Sequence, residues 1–414
     1  MAMTREVEAT SDTISASPSE IAIALLTGCQ DRPYAFGLAM ALASRGISLD
    51  VIGSDEVDSP EMHSTAKLHF LNLRGNQRQD TNSAKRLSKL LIYYVRLIRY
   101  AASAEPKIFH ILWNNRFEYI DRTLVMLYYK TLGKKIVLTV HNVNQARRDA
   151  KDSMLNRLTL RIQYRLADHI FVHTEAMKRE LLEDFQVRGG AVTVIPFGIN
   201  NAVPHTDLTT VAAKRQLGVK DGEKAILFFG RLRPYKGLEH LLAAYQQLTT
   251  RRADYRLIIA GEPKKGSEEY LDEILQTIRG MDRQERMISR FQFIPDRDTE
   301  LYFKAADVLV LPYKEIFHSG VLFLAHSFGL PVVAADVGPF REEIVEGRTG
   351  FLCNPSDASD LANAIERYFA SDLYRNLENR RDDIRDHASE RHSWSVVGEM
   401  TQNVYTELLG NSRQ

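Results

Sequence analysis

Cysteine is almost absent from this sequence: Cys29 and Cys353 are the two among 414 residues, far apart and without ligand-like spacing. That argues against a disulfide framework or a zinc site and suits a reducing cytosol. An excess of one charge is missing as well. Lys plus Arg number 54 against 53 for Asp plus Glu, so no global basic field points to nucleic acid, and any bound anion must be gripped locally. No uninterrupted run of about eighteen apolar residues offers a membrane span. The first twenty residues, MAMTREVEATSDTISASPSE, lack the apolar centre of a signal peptide and read as a disordered tail over 1–20. Short-period repeats are lacking too.

What is present is a rhythm. The chain is too long for one ordinary core, so two domains are expected. From Ile21, short apolar runs alternate with longer amphipathic ones. Strands are predicted at 21–26, 49–52, 68–71, 107–112, 135–140, 169–173 and 192–195, with a helix from Tyr34 to Ser44. The pattern restarts after a polar stretch, with strands at 225–230, 256–261, 290–294, 308–312 and 331–336. Strands alternating with helices imply parallel sheets covered on both faces. The expected architecture is therefore α/β: a domain over 21–199, a linker over 200–223, and a second doubly wound domain over 224–393. Ligands would bind at the carboxyl ends of the strands, in the cleft between the domains. The C-terminal segment, 394–414, carries an amphipathic helix that either closes the second domain or crosses back to the first.

One helical stretch, KRLSKLLIYYVRLIRYAAS over 85–103, stands out. At helical spacing Leu87, Leu90, Leu91, Tyr94, Val95 and Ile98 form one apolar face, with Lys85, Lys89, Arg96 and Arg99 roughly opposite. The favoured reading is a core-packing helix with a solvated basic back. The other is a basic surface that meets anionic lipid heads.

The strongest chemical signal is FFGRLRPYKGLEHLLAAYQQL, from Phe228 to Leu248. A strand ends at Gly230, a loop carries Arg231 and Lys236, and a helix follows Gly237. Such a loop can aim two cations and several N–H groups at one point above the strand ends. Two charges suit a diphosphate, each charge-assisted hydrogen bond being worth about 1.5–3 kcal/mol. The alternative is a pair of solvated loop cations. Tyr235 stands where a P-loop needs glycine, and no G-x-G-x-x-G occurs, so neither phosphate motif is present. Asp296-Arg297-Asp298 precedes a helical pattern from Thr299 to Ala305 and reads as helix capping rather than a metal site.

After GRLRPYKGLEHLL come IIAGEP, ELYFKAADVLVLPY, FGLPVVAADVGPFREEI and EGRTGFLCNP, in order and at compatible distances. Together they resemble the donor-binding half of glycosyltransferase family four, retaining enzymes of the GT-B fold. IFHILW, KKIVLTVHNV, ADHIFVHTEAMKREL and VTVIPFGIN resemble the first half of that family more loosely. The resemblance implies two Rossmann-like domains. It also implies transfer of a hexose from a nucleotide-diphosphate sugar to an acceptor hydroxyl, on a glycan, a lipid-linked glycan or a small molecule, in cell-surface polysaccharide synthesis. Gly230, Arg231 and Lys236 would hold the donor diphosphate, where negative charge builds as the glycosidic bond breaks. No divalent metal and no other cofactor would be needed. His141, at the end of KIVLTV, would contact the donor sugar near the reacting carbon. Phe293 and Ile294 would lie against the base, and His110 would line the acceptor side, while His173 reads as structural. Such an enzyme would be cytoplasmic, and peripheral at the inner membrane face if the basic helix meets lipid.

The stretch KEIFHSGVLFLAHSFGLPVVAADVG, 314–338, departs from the family. Two glutamates spaced E-x7-E are usual there. Counting back from Gly329, their places hold Ile316 and Leu324, and leucine cannot accept hydrogen bonds from a ribose. Glu315 adjoins the first place and would substitute only after a one-residue shift. What survives is a helix start, where Ser319, Gly320 and Val321 present N–H groups and the dipole favours an anion by about 0.3–2 kcal/mol. Glu342 either touches the donor or starts a helix. Loss of the glutamates keeps two further readings open: a non-catalytic GT-B subunit, and a phosphorylase or nucleotide-sugar epimerase on the same fold.

Overall fold

Two parallel sheets organise the chain, each with helices on both faces. The computed structural model describes residues 21–77, 83–148, 152–199, 203–264, 266–316 and 319–410; the tail expected over 1–20 lies outside them. The first sheet contains β1 (Ala22–Leu26), β2 (Ser48–Gly53), β3 (Leu68–Asn72), β4 (Ile108–Ile111), β5 (Lys135–Thr139), β6 (His169–Val172) and β7 (Val192–Val194). Its order is β3-β2-β1-β4-β5-β6-β7. The second contains β8 (Lys224–Phe229), β9 (Tyr255–Ala260), β10 (Met287–Arg290), β11 (Val308–Leu311), β12 (Val332–Ala335) and β13 (Gly350–Cys353), in the order β10-β9-β8-β11-β12-β13. Strand order reverses between β1 and β4 and between β8 and β11, the places where doubly wound sheets open a crevice for ligands. The central strands are apolar at nearly every position because both faces are covered, as in β4, β6, β11 and β12.

Two strands depart from the expected positions, and both lie at edges of the second sheet. The apolar run RFQFI suggested a strand over 290–294, yet β10 pairs Met287–Arg290 with Leu257–Ala260 and leaves Phe293 exposed. β13 was not expected. An edge strand has one neighbour and less cover, so its residues need not be apolar throughout.

Eight helices shape the site and its surroundings: α1 (Arg32–Ser44), α2 (Ser83–Ser103), α3 (Met126–Thr131), α4 (Met154–Leu166), α5 (Leu238–Arg251), α6 (Asp296–Ala305), α7 (Gly320–Ser327) and α8 (Trp394–Gly410). α2, α3 and α4 cover one face of the first sheet, where Tyr93, Leu97, Tyr129 and Leu160 share a core with Phe109 and Leu138. The buried stripe of α2 is therefore Tyr93, Tyr94, Leu97 and Ala101. Leu87, Leu91, Val95 and Ile98, the stripe expected to pack inward, stand exposed.

The expected linker is shorter than 200–223. Thr206 donates to both carboxylate oxygens of Glu300, through its N–H at 2.7 Å and its hydroxyl at 2.8 Å. A helix over Thr210–Leu217 follows, from which Lys214 pairs with buried Asp307 at 2.7 Å. The segment from Thr206 onward thus belongs to the second domain.

α8 returns to the first domain. Arg45 Nε donates to Gln402 Oε1 at 2.7 Å. The Trp394 ring fills the space over Gly37 and Gly198, where an added Cβ would come within 2.0 and 2.5 Å of it. The two crossings are bonded to each other, Ile199 N–H to the His392 carbonyl at 3.2 Å and the Trp394 indole N–H to the Ile199 carbonyl at 2.6 Å.

Candidate active site

The carboxyl ends of both sheets face one cleft. On the second domain, β8 runs into Gly230, whose φ of +105° and close neighbours suit glycine: an added Cβ would lie 2.9 Å from Lys236 Nζ and 3.4 Å from Val321. Gly237, at φ +64°, lets the loop turn into α5 beneath the Pro312 carbonyl. Gly230, Lys236 and Val321 are thereby brought together. Lys236 is buried, its ammonium 5.4 Å from the Tyr313 ring centroid. Among the described residues no carboxylate forms an ion pair with it. Burial, reinforced by the charges of Arg233 and Arg231, pushes its pKa down to about 7. Arg231 is mostly exposed and held by Glu262, Nε to Oε1 at 2.9 Å.

α7 starts beside this loop. Ser319 is its N-cap: its hydroxyl oxygen accepts from the Leu322 N–H at 3.4 Å, and the hydroxyl lies within hydrogen-bonding reach of the Tyr313 phenol. Gly320 is exposed, and the site its Cβ would take is 3.6 Å from Phe197 of the first domain. A cavity of about 270 Å³ opens there, walled by Asp31, Tyr34 and Phe197 on one side and by Ile294, Val321 and Leu324 on the other.

The places of the two family glutamates are apolar in space as well as in sequence: Ile316 and Leu324 are both buried in the second domain's core. Glu315 is exposed, outside that cavity and within electrostatic reach of Glu180 on the first domain. Glu342 is exposed on a short helix, Phe340–Glu343. Its neighbour Glu343 is the one engaged, accepting from His392 at 2.9 Å. Phe293 is exposed, whereas Ile294 lines the cavity.

Sequence reasoning passed over one carboxylate. α6 begins at Asp296 itself, with Pro295 as N-cap and no side-chain cap bond. The expected capping role is therefore not the one the side chain performs. Asp296 instead borders the same cavity as Leu324, with Thr299 beside it. The signal was its place just beyond a strand end, obscured by taking α6 to start three residues later.

On the first domain, His141 follows β5 and stacks on Trp113, ring centroids 4.1 Å apart and planes at 6°. Tyr34 meets it edge-on at 4.7 Å. His141 Nδ1 lies 3.0 Å from His173 Nε2, and His173 Nδ1 lies 3.3 Å from the Ile195 carbonyl. A carbonyl only accepts, so a neutral His173 donates from Nδ1 and accepts at Nε2. His141 must then donate from Nδ1, which leaves its Nε2 as an acceptor. His173 thus fixes the tautomer of His141. Beside His141 a polar cavity of about 330 Å³ is lined by Asn114, Gln145, Asn156 and Gln163.

His110 is elsewhere. It is fully buried, with Nδ1 2.6 Å from the Tyr405 hydroxyl and Nε2 2.7 Å from the Thr139 hydroxyl. The expected acceptor-side role is replaced by a structural one, because β4 is a central strand covered by α8 on that face.

The family profile described as "Glycosyltransferase Family 4" matches residues 33–203, and that described as "Glycosyl transferases group 1" matches 211–391. The chain belongs to glycosyltransferase family four. Among its relatives is the D-inositol 3-phosphate glycosyltransferase of Corynebacterium aurimucosum, 29% identical over 276 residues, 65% of this chain and 64% of that protein. The match thus spans less than two thirds of the relative's length. A sucrose-phosphate synthase from Thermosynechococcus elongatus shares the fold with a TM-score of 0.74, at 20% identity over 95% of this chain and 100% of that one. Anabaena HepE, solved with UDP and glucose, has a TM-score of 0.72 and 18% identity over 94% and 100%. The fold is GT-B.

Proposed function

We propose that this chain is a retaining hexosyltransferase that takes its sugar from a nucleotide diphosphate without a divalent metal. The observation that carries this reading is Lys236: a buried ammonium with no carboxylate ion pair among the described residues, under a glycine that lets a ligand approach, beside the start of α7. A diphosphate completes that charge balance, and Arg231 adds a second cation at the mouth. As the bond from the anomeric carbon to the phosphate oxygen breaks, charge grows on the phosphate, where both cations and the α7 amides stabilise it. The bond to the acceptor oxygen forms on the same face, and the acceptor proton passes to the departing phosphate oxygen. His141 accepts a sugar hydroxyl at Nε2. Asp296, on the cavity wall that Leu324 shares, accepts the ribose hydroxyls in place of the usual glutamate.

In this reading the polar cavity beside His141 takes the acceptor, a glycan or lipid-linked glycan of cell-surface polysaccharide synthesis. The enzyme works in the cytoplasm, in peripheral contact with an anionic membrane. The test is a screen of UDP-, GDP- and ADP-sugars by thermal shift and donor hydrolysis, with calorimetry on the free diphosphates. One of these should raise the melting temperature, by linkage, and be hydrolysed. Binding of none would leave a non-catalytic subunit as the answer, and turnover to an epimer without acceptor would point to an epimerase.

A further inference from the structure

The polar cavity beside His141 carries two side-chain amides whose hydrogen bonds are half made. Gln163, on α4, is 5% exposed, and its Nε2 donates to Asn114 Oδ1 at 3.0 Å. Among the described residues, Gln163 Oε1 and Asn114 Nδ2 have no hydrogen-bond partner, and neither atom is sealed from solvent. Both residues line the cavity. One acceptor and one donor therefore stand side by side. Turning both amides over exchanges their roles and leaves the same couple. An amide oxygen held among buried atoms gains a bond when a guest supplies one.

The surroundings fix this couple in place. Asn114 follows β4 and Trp113, whose ring stacks on His141, and the Asn114 backbone carbonyl accepts from Gln30 Nε2 at 3.1 Å, just past β1. Asn156 lies two turns before Gln163 on α4 and lines the same cavity, but it is engaged at both ends. Its Oδ1 accepts from Arg122 at 2.9 Å, and its Nδ2 donates to Asn144 Oδ1 at 3.0 Å and Asp152 Oδ1 at 2.9 Å. Arg122 in turn pairs with Glu118. Trp113 and Leu160 add apolar surface to the wall.

We propose that the Gln163–Asn114 couple reads a ring hydroxyl of the acceptor, so that the cavity selects an unphosphorylated sugar by the pattern of its hydroxyls. A hydroxyl donates and accepts at once and so meets both free atoms. An ionised phosphate only accepts, and in the same place it would set an oxygen against the free amide oxygen. The apolar wall of Trp113 and Leu160 suits the C–H face of a pyranose ring, in a cavity where a few placed polar groups supply the orientation. Sites built to hydrogen-bond a hydroxyl reject analogues that lack it, because their own polar groups are then left unpaired. The inference rests on the cavity being the acceptor site, as proposed above, and adds what that site selects.

The full chain, without donor, is titrated by nuclear magnetic resonance with methyl glycosides of glucose, galactose, mannose and N-acetylglucosamine. The 6-phosphate of each follows, and then the analogues that lack one ring hydroxyl at a time. One neutral glycoside should bind, its 6-phosphate should bind at least about tenfold more weakly, and one deoxy analogue should lose about tenfold to a hundredfold. In Gln163→Leu that deoxy analogue and its parent should bind alike, a loss of discrimination that a merely structural residue would not produce. Asn114 is only half-buried, so Asn114→Ala repeats the comparison if Gln163→Leu does not fold. Binding of no glycoside, equal binding of parent and every deoxy analogue, or tighter binding of a 6-phosphate would each overturn the proposal. Discrimination that survives in the folded variants would overturn it too. Calorimetry of UDP, GDP and ADP on the same chain separates the two failures: a bound diphosphate without a bound glycoside removes this inference alone, and a bound glycoside without any bound diphosphate removes the transferase reading.

Discussion

Lys236 carries its proton only part of the time near neutrality, because burial holds its pKa at about 7. A diphosphate bound against it favours the charged form, so donor binding should take up a proton where the free enzyme is deprotonated. Calorimetry of the preferred nucleotide diphosphate at pH 8, in buffers of different ionisation enthalpy, should report that uptake; affinity should fall as pH rises above 7. Lys236→Met should lose about tenfold to a hundredfold in donor affinity, the worth of one charge-assisted hydrogen bond. His173 makes a different prediction. His173→Phe leaves His141 in place but frees its tautomer, so kcat should fall by about tenfold to a hundredfold with little change in donor KM. An unchanged kcat would remove His173 from the positioning role. At this scale the cations are legible, since their spacing around Gly230 and Gly237 is a local property of one loop. The His141–His173 pair is not, because it joins the ends of two strands 32 residues apart. Asp296 is hidden for another reason: its neighbour on the cavity wall, Leu324, comes from a different helix.

Among elements, α2 shows why an apolar stripe does not by itself say which way a helix faces. Leucines and aromatics lie on two sides of it, and the aromatic side, Tyr93 and Tyr94 with Leu97, is the one that packs. Interior strands of both sheets are legible because burial on two faces demands unbroken apolar runs. β10 and β13 are not, because an edge strand escapes that demand. The tie between β4 and α8 is likewise invisible locally: His110 and Tyr405 are 295 residues apart. Tyr405→Phe strands one buried imidazole nitrogen and should cost about 1–3 kcal/mol by chemical denaturation. Burial holds His110 down to about 3, well below its ordinary 6.5. Its contribution is complete above pH 6.5 and is lost as pH falls from there toward 3, because only the unfolded chain takes up the proton. Denaturation midpoints should therefore drop between about pH 7 and pH 5, and less steeply in His110→Gln.

On the scale of the whole molecule, the doubling of the α/β rhythm is plain in the sequence, and the division between the halves is less so. Polar composition over 200–223 suggests a free linker. The part from Thr206 is instead bound to α6 and Asp307, because its few anchoring residues find partners more than ninety positions away. α8 is the other long-range event. Trp394 seats it over two glycines, and Trp394→Ala should destabilise the chain by about 3–5 kcal/mol, the usual cost of emptying a large aromatic site. Equilibrium unfolding followed by far-ultraviolet circular dichroism checks this; a loss under about 1 kcal/mol would show that the helix holds without its first residue.

The two crossings between the domains, bonded to each other at Ile199, His392 and Trp394, form a double connection that would favour the turning of a door hinge over that of a ball joint. Two leaves pinned along a short line turn about that line and resist twisting or sliding. Lys236 and His141 belong to opposite domains, so a turn about that line should change the distance between them. A molecule that bridges them should hold the domains together, and a distance measured across the mouth with and without the nucleotide diphosphate checks this.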